Sequence, residues 1–119
     1  MNRTIYNVEL YVYNAKLDRV VDGDTVDAMI DLGFDTWVFK RIRLLGIDAP
    51  ETRTRDLVEK EAGFKTKARV EALLGPAGSP FVLRSEGLDK YGRSLGVIYV
   101  EDTNINELLV KEGLAEVYE

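Results

Sequence analysis

The sequence contains no cysteine and no histidine. The first absence excludes disulfides, a thiol nucleophile and any metal cage built on thiolates. The second removes the commonest general base and the commonest zinc ligand. Catalysis by this chain must therefore rest on carboxylates, arginine, lysine, tyrosine, or a cation held by oxygen ligands. Serine hydrolysis of the triad type is excluded too, because Ser79, Ser85 and Ser94 have no histidine to pair with. No apolar run of about 18 residues occurs, so no membrane-spanning helix is expected. Residues 1–14 also lack the apolar core of a signal peptide. This leaves the cytoplasm, or secretion if a leader has been removed.

The 119 residues suit one domain, expected over 1–119. At this size a chain buries roughly two-thirds of its unfolded surface, enough to fold without staples. A net charge of −5 argues against a generic nucleic-acid binder, but its distribution reads differently. Residues 1–39 hold 3 basic and 7 acidic side chains, and residues 70–119 hold 4 basic and 9 acidic. Residues 40–69 between them hold 9 basic and 5 acidic. The positive charge thus sits beside the motifs described below.

Val8, Leu10 and Val12 alternate with Glu9, Tyr11 and Tyr13, the period of a half-buried strand. Lys16 to Val21 continues extended to the turn Asp22-Gly23. From Thr25 to Leu32, Val26, Ala28, Ile30 and Leu32 are expected inward, with Asp27 and Asp31 outward. After a turn at Gly33-Phe34-Asp35, Trp37 to Leu45 reads as a third strand. A helix is predicted over about 56–74, capped by Thr54 or Asp56 and ended by Gly75-Pro76, with Leu57, Phe64, Val70 and Leu74 among its buried residues. Two short strands, Phe81–Arg84 and Leu95–Val100, follow. A second helix is predicted over 104–113, with Asn104 and Glu107 as a capping box and Gly113 at its end. The class is mainly β with α. Five strands with a helix between the third and fourth match a Greek-key barrel of the OB type.

Three segments carry chemistry. Asp22-Gly23-Asp24-Thr25 brings two carboxylates together at a strand junction. Such a pair repels unless it shares a cation, although a lone Asp-Gly-Asp is more often just a turn. Arg43 to Thr52 places Asp48 and Glu51 five and eight residues after Arg43, in a loop stiffened by Pro50. Carboxylates, a cation and an arginine are what phosphodiester hydrolysis requires. The metal polarises phosphate and activates water, a carboxylate orients the water, and arginine binds the oxygens that gain charge. The plain alternative is a surface ion pair between Arg43 and Glu51. Asp89-Lys90-Tyr91-Gly92-Arg93 offers three phosphate-compatible donors, and alone it would read as a solvated loop.

Together these segments, with Asn106-Glu107-Leu108-Leu109-Val110 and Gly113-Leu114-Ala115, resemble the staphylococcal nuclease family in order and spacing over about residues 15–118. The resemblance implies a calcium-dependent nuclease acting on DNA and RNA. Asp24 and Asp48 would be the side-chain calcium ligands and Ala49 would supply a backbone carbonyl. Asp22 would hold Asp24 and water in place. Glu51 would position or activate the attacking water, and Arg43 and Arg93 would clamp the scissile phosphate. Lys90 and Tyr91 would touch the terminal phosphate, and Tyr118 would stack on a base. Tyr118 departs from the family's tyrosine pair in register, and the family's third helix has no counterpart by Glu119. DNA and RNA are the partners expected, for a protein that works as a monomer off the membrane. The competing readings are a catalytically silent nucleic-acid-binding barrel and a carbohydrate- or protein-binding one. Either leaves the joint presence of Asp24, Arg43, Asp48, Glu51 and Arg93 unexplained.

Overall fold

The computed structural model describes residues 4–5 and 8–118. Two short strands, β1 (Thr4–Ile5) and β2 (Val8–Glu9), pair with each other. Tyr11, with φ of +65°, then ends the extended run. The single strand expected over 8–13 is therefore split. The long strand β3 starts at Val12 and runs to Asp22, and Ala15, Leu17 and Val20 face the core. Val12, expected inward, is exposed, while Tyr13 packs on the core; the side chain of Val8 lies outside the described residues. An irregularity between Leu17 and Arg19 shifts the alternation, which period-2 counting cannot anticipate.

Strands β4 (Thr25–Asp31) and β5 (Trp37–Leu44) continue the antiparallel meander. They are followed by β6 (Ile47–Asp48), helix α1 (Leu57–Leu74), β7 (Pro80–Leu88) and β8 (Ser94–Val100). The chain then runs through β9 (Thr103–Asn104), helix α2 (Ile105–Lys111) and β10 (Glu116–Val117). Strand β3 pairs with β7, β7 with β8, and β8 with β5 in parallel, which closes a five-stranded barrel of the expected OB type. Its interior is filled by Val26, Ala28, Ile30, Ile42, Leu44, Phe81, Leu83 and Ile98. Truncating one of the large ones to alanine costs about 2–5 kcal/mol.

Both helices begin where the capping residues predict. Asp56 accepts from the backbone N–H groups of Val58 (3.0 Å) and Glu59 (3.3 Å), and Asn104 accepts from Glu107 (3.0 Å). The buried stripe of α1 matches the expected one at Val70 and Leu74 and departs from it elsewhere. It consists of Gly63, Thr66, Val70 and Leu74, spaced three and four residues apart, while Leu57 and Phe64 are exposed. Half of that stripe is small or polar, so apolar residues did not mark it. Helix α2 is fastened by Asn106, which is 4% exposed. Its amide donates to the carbonyls of Leu45 (2.9 Å) and Gly96 (3.1 Å), and its carbonyl accepts from Ile98 N–H (3.1 Å). One side chain thereby ties α2 to β8 and to the end of β5, across the parallel closure. The two helices are joined by Arg69, which forks onto Glu112 at 2.9 Å twice, and by the Thr66 hydroxyl donating to the Leu114 carbonyl at 2.7 Å.

The outer face holds one departure from alternation. Asp27, expected to be solvated, is 3% exposed. Arg41 covers it with a two-point contact (2.8 and 3.1 Å), and Arg19 adds a third at 3.3 Å. The Arg41 hydrogen bond holds the Asp27 carboxyl below its ordinary range, against the desolvation that would raise it, and Arg19 adds to the lowering.

Candidate active site at the barrel mouth

Asp24 lies in the two-residue connection between β3 and β4, across which Asp22 and Thr25 are paired. The glycine beside it is required for closeness. Gly23 has an ordinary φ, but a Cβ there would lie 2.5 Å from Thr66 Cγ2 and 3.0 Å from Ala49 Cβ. The carboxylate of Asp24 is fixed twice, accepting from the Thr25 hydroxyl at 3.0 Å and from the Ala49 N–H at 2.9 Å. That second bond links the first motif to the second. A parallel link runs from the Thr52 hydroxyl to Asp22 Oδ1 at 2.8 Å. Asp22 therefore holds the loop that carries Glu51, whereas the resemblance assigned it to Asp24 and water.

The Asp48–Glu51 loop is pressed against α1. A Cβ on Gly63 would lie 2.6 Å from the Glu51 carbonyl oxygen and 2.8 Å from that of Pro50. The Glu51 N–H also donates to Glu59 at 3.3 Å. Strand β5 delivers Arg43, whose Nη1 donates to the carbonyls of Ile47 (2.9 Å) and Leu44 (3.2 Å). Its Nη2 lies 3.1 Å from Asp48 Oδ1 and 3.4 Å from Asp24 Oδ2. Arg43 and Asp24 are nearly buried, while the Asp48 side chain is 55% exposed. One guanidinium nitrogen thus sits between the two aspartates, and the ion pair with Glu51 weighed as the plain alternative is not formed.

Arg93 arrives by topology. The parallel register sets Ser94 against Ile42 and Leu95 against Arg43, so the end of the β7–β8 turn lies beside Arg43. Within that turn Asp89 accepts from the backbone N–H groups of Tyr91 and Arg93 (both 2.8 Å) and pairs with Arg93 Nε at 2.5 Å. Burial works to raise the Asp89 carboxyl; the hydrogen bonds from Arg93 and Tyr91 outweigh it and hold the group below the usual range. The Arg93 guanidinium also lies over the Tyr91 ring, 5.3 Å from its centroid.

These pieces border one open cavity of about 530 Å³. Asp22, Asp24, Arg43, Asp48, Ala49, Glu51, Arg93 and Tyr118 all line it, and so do Thr25 and Arg53, which the sequence did not single out. Arg53 follows Glu51 by two, and its basic character within the carboxylate loop was the available signal. Lys90 and Tyr91 are absent from that lining. They border an adjoining cavity of about 340 Å³ that shares Arg43, Arg93 and Tyr118 with the first. Tyr118 reaches both because β10 pairs with β6, setting Glu116 against Asp48, and because its own N–H donates to the Gly46 carbonyl at 2.9 Å.

A family model described as staphylococcal nuclease homologue matches residues 41–119. Among curated proteins, the chain is 33% identical over 105 residues to endonuclease YncB of Bacillus subtilis, covering 87% of this chain and 47% of that protein. It is 35% identical over 102 residues to the SPbeta prophage-derived endonuclease YokF of the same organism, covering 85% of this chain and 33% of that protein. With a micrococcal nuclease of Shigella flexneri it shares 30% identity over 115 residues, 89% of this chain and 59% of that protein. The chain thus spans about half the length of the curated relatives it matches. With the closed barrel and a match of this extent, the chain belongs to the family of staphylococcal nuclease homologues.

Proposed function

We propose that this chain is a calcium-dependent nuclease that hydrolyses phosphodiester bonds of DNA and RNA with little sequence preference. The observation that carries the reading is the convergence of Asp24, Arg43, Asp48, Glu51 and Arg93, from separate segments, on one cavity. The names of the relatives, endonuclease and micrococcal nuclease, point the same way.

The donor set fits a hard divalent cation. Asp24, Asp48 and the Ala49 carbonyl offer oxygen alone, and no histidine or cysteine exists to favour zinc. Among the described residues no three acidic side chains form a ready-made cluster, so water and substrate phosphate would complete the coordination. The charge balance agrees. Four carboxylates and three guanidiniums border the cavity. A dication turns that net negative charge positive, the sign an incoming phosphate needs. When bound, calcium would polarise the phosphate and lower the pKa of water.

The chain's own groups do the rest. Glu51, exposed on a loop whose backbone is clamped by α1 and Thr52, orients the attacking water and takes its proton. Arg43, its Nη1 fixed by two carbonyls, presents a permanent charge to the phosphate oxygens. Arg93 is held through Nε by Asp89, which leaves its two Nη groups for the phosphate. Lys90 and Tyr91 contact a neighbouring phosphate across the shared wall of the two cavities, and Tyr118 stacks on a base at their common rim. All the chemistry addresses phosphate, so little sequence preference is expected. The test is cleavage of single-stranded DNA and RNA by the pure protein in calcium and in chelator. Calcium-stimulated cleavage of both is expected, and no stimulation would overturn the reading.

A further inference from the structure

The outer face of β5 carries a feature that the site does not use. Val38, Ile42 and Leu44 pack inward, so Trp37, Phe39, Arg41 and Arg43 form one outward row along the strand. Its first two members are aromatic, 38 and 52% exposed, and its last is the arginine of the candidate site. The row spans about 20 Å at the rise of a strand. The neighbouring strands add charge beside it. Lys16 on β3 holds its Nζ 5.0 Å above the Trp37 ring. Arg41 and Arg19 share the single carboxylate of Asp27, which leaves that trio with a net positive charge. The helices pack elsewhere, α1 on β3 and α2 on β8.

Resting on the nuclease reading, we propose that this face is a track for single-stranded nucleic acid leading into the cavity. Trp37 and Phe39 are stacking platforms for two bases, and Lys16, Arg19 and Arg41 attract the phosphates between them and Arg43. Two observations fix the occupant. The row runs without interruption into Arg43, so a strand lying on it arrives at the candidate scissile position. Two exposed rings, with Lys16 over the first and Arg41 and Arg43 following the second along the strand, form a pattern that suits unpaired strands, since every base has a face to stack while a duplex hides them. The Lys16–Trp37 contact is weaker than base stacking, so an arriving base displaces it and frees the lysine for phosphate. A second copy of this chain is a poorer occupant. A two-fold pairing of the face would set its own cations against their equals.

The chain has one tryptophan, so its intrinsic fluorescence reports Trp37 alone. The protein is titrated in chelator with a single-stranded dodecamer, the same dodecamer as a duplex, and a dinucleotide. Quenching is expected from the single strand and little from the other two. Phe39→Ala should weaken dodecamer binding about tenfold and Lys16→Ala a few-fold, with circular dichroism confirming the fold. In calcium, Phe39→Ala should raise KM for the dodecamer by about the same factor and leave dinucleotide cleavage unchanged. Quenching without any cleavage would support the track and end the nuclease reading. Cleavage without quenching, or equal quenching by the duplex, overturns the track and spares the nuclease reading. Fluorescence that changes on dilution, with a dimer in sedimentation, assigns the face to self-association and overturns the track as well.

Discussion

The two halves of the candidate site are built in different ways. The half from Asp22 to Glu51 is a product of packing. Gly23 and Gly63 let α1 come within contact of both carboxylate loops, and Arg43 is locked by two backbone carbonyls. The other half, Asp89 to Arg93, is a turn held by its own hydrogen bonds, with Asp89 as the hub and the Arg93 side chain 53% exposed. One half depends on the whole core and the other on five consecutive residues. Substitutions in the first should therefore disturb stability and chemistry together, while those in the second should touch chemistry with little effect on stability.

The largest effects test that division directly. Arg43→Ala, Arg93→Ala and Glu51→Gln should each lower kcat at least about 10²-fold, since under the proposed mechanism each removes one preorganised contact to developing charge or to the attacking water. Of the two arginines, only Arg43→Ala should also lower the melting temperature. If Arg93→Ala melts as early as Arg43→Ala, the turn is not autonomous and the comparison fails.

Next come the two glycines. Overpacking typically costs about 1–3 kcal/mol, and Gly23→Ala and Gly63→Ala should both fall in that range by chemical denaturation. They should separate on rescue. The Cβ at position 23 meets the γ-methyl of Thr66, so Thr66→Ser, which keeps the hydroxyl bonded to Leu114, should restore much of the loss. The Cβ at position 63 meets the backbone of Glu51 and Pro50, which no side-chain substitution can retract. Gly63→Ala should therefore also depress kcat by moving Glu51.

The smallest effects come with acid. Both Asp27 and Asp89 have folded-state values below the ordinary carboxylate range. Their stabilisation is thus complete above the unfolded value of about 3.9 and is lost as pH falls through the folded values. Asp27→Asn should flatten the acid limb of the stability curve below about pH 4. Asp89→Asn should lower the thermal midpoint only slightly and raise KM a few-fold, as Arg93 loses its anchor. A thermal midpoint that falls sharply for Asp89→Asn would place the turn under the control of the core.

The same contrast explains what the sequence made legible. The inward positions Val26, Ala28 and Ile30 of β4 and the caps at Asp56 and Asn104 are local signals, and they fall where local rules put them, whereas Leu32, expected inward, is exposed. The N-terminal half of the buried face of α1 was misread because it docks through Gly63 and Thr66 against loops, where closeness matters more than apolar area. Asp27 looked solvated because its covering arginines come from other strands. Arg53 joins the cavity through the folding of a loop whose residues carry no periodic signature, and Thr25 through its place at the start of β4, paired with Arg43. Tyr118 could not be placed from spacing, since a two-residue strand pairing with β6 decides its position.

That last pairing has a consequence for the order in which a growing chain acquires its parts. Asp24 is made about 90 residues before Glu116 and Tyr118, whose backbones bond to the Gly46–Asp48 segment. At roughly 5–20 residues per second of synthesis, several seconds pass in which the carboxylates exist without Arg93 beside them or β10 behind them. Under the nuclease reading, the nascent polypeptide stays harmless to the messenger being translated until nearly the whole described barrel has emerged.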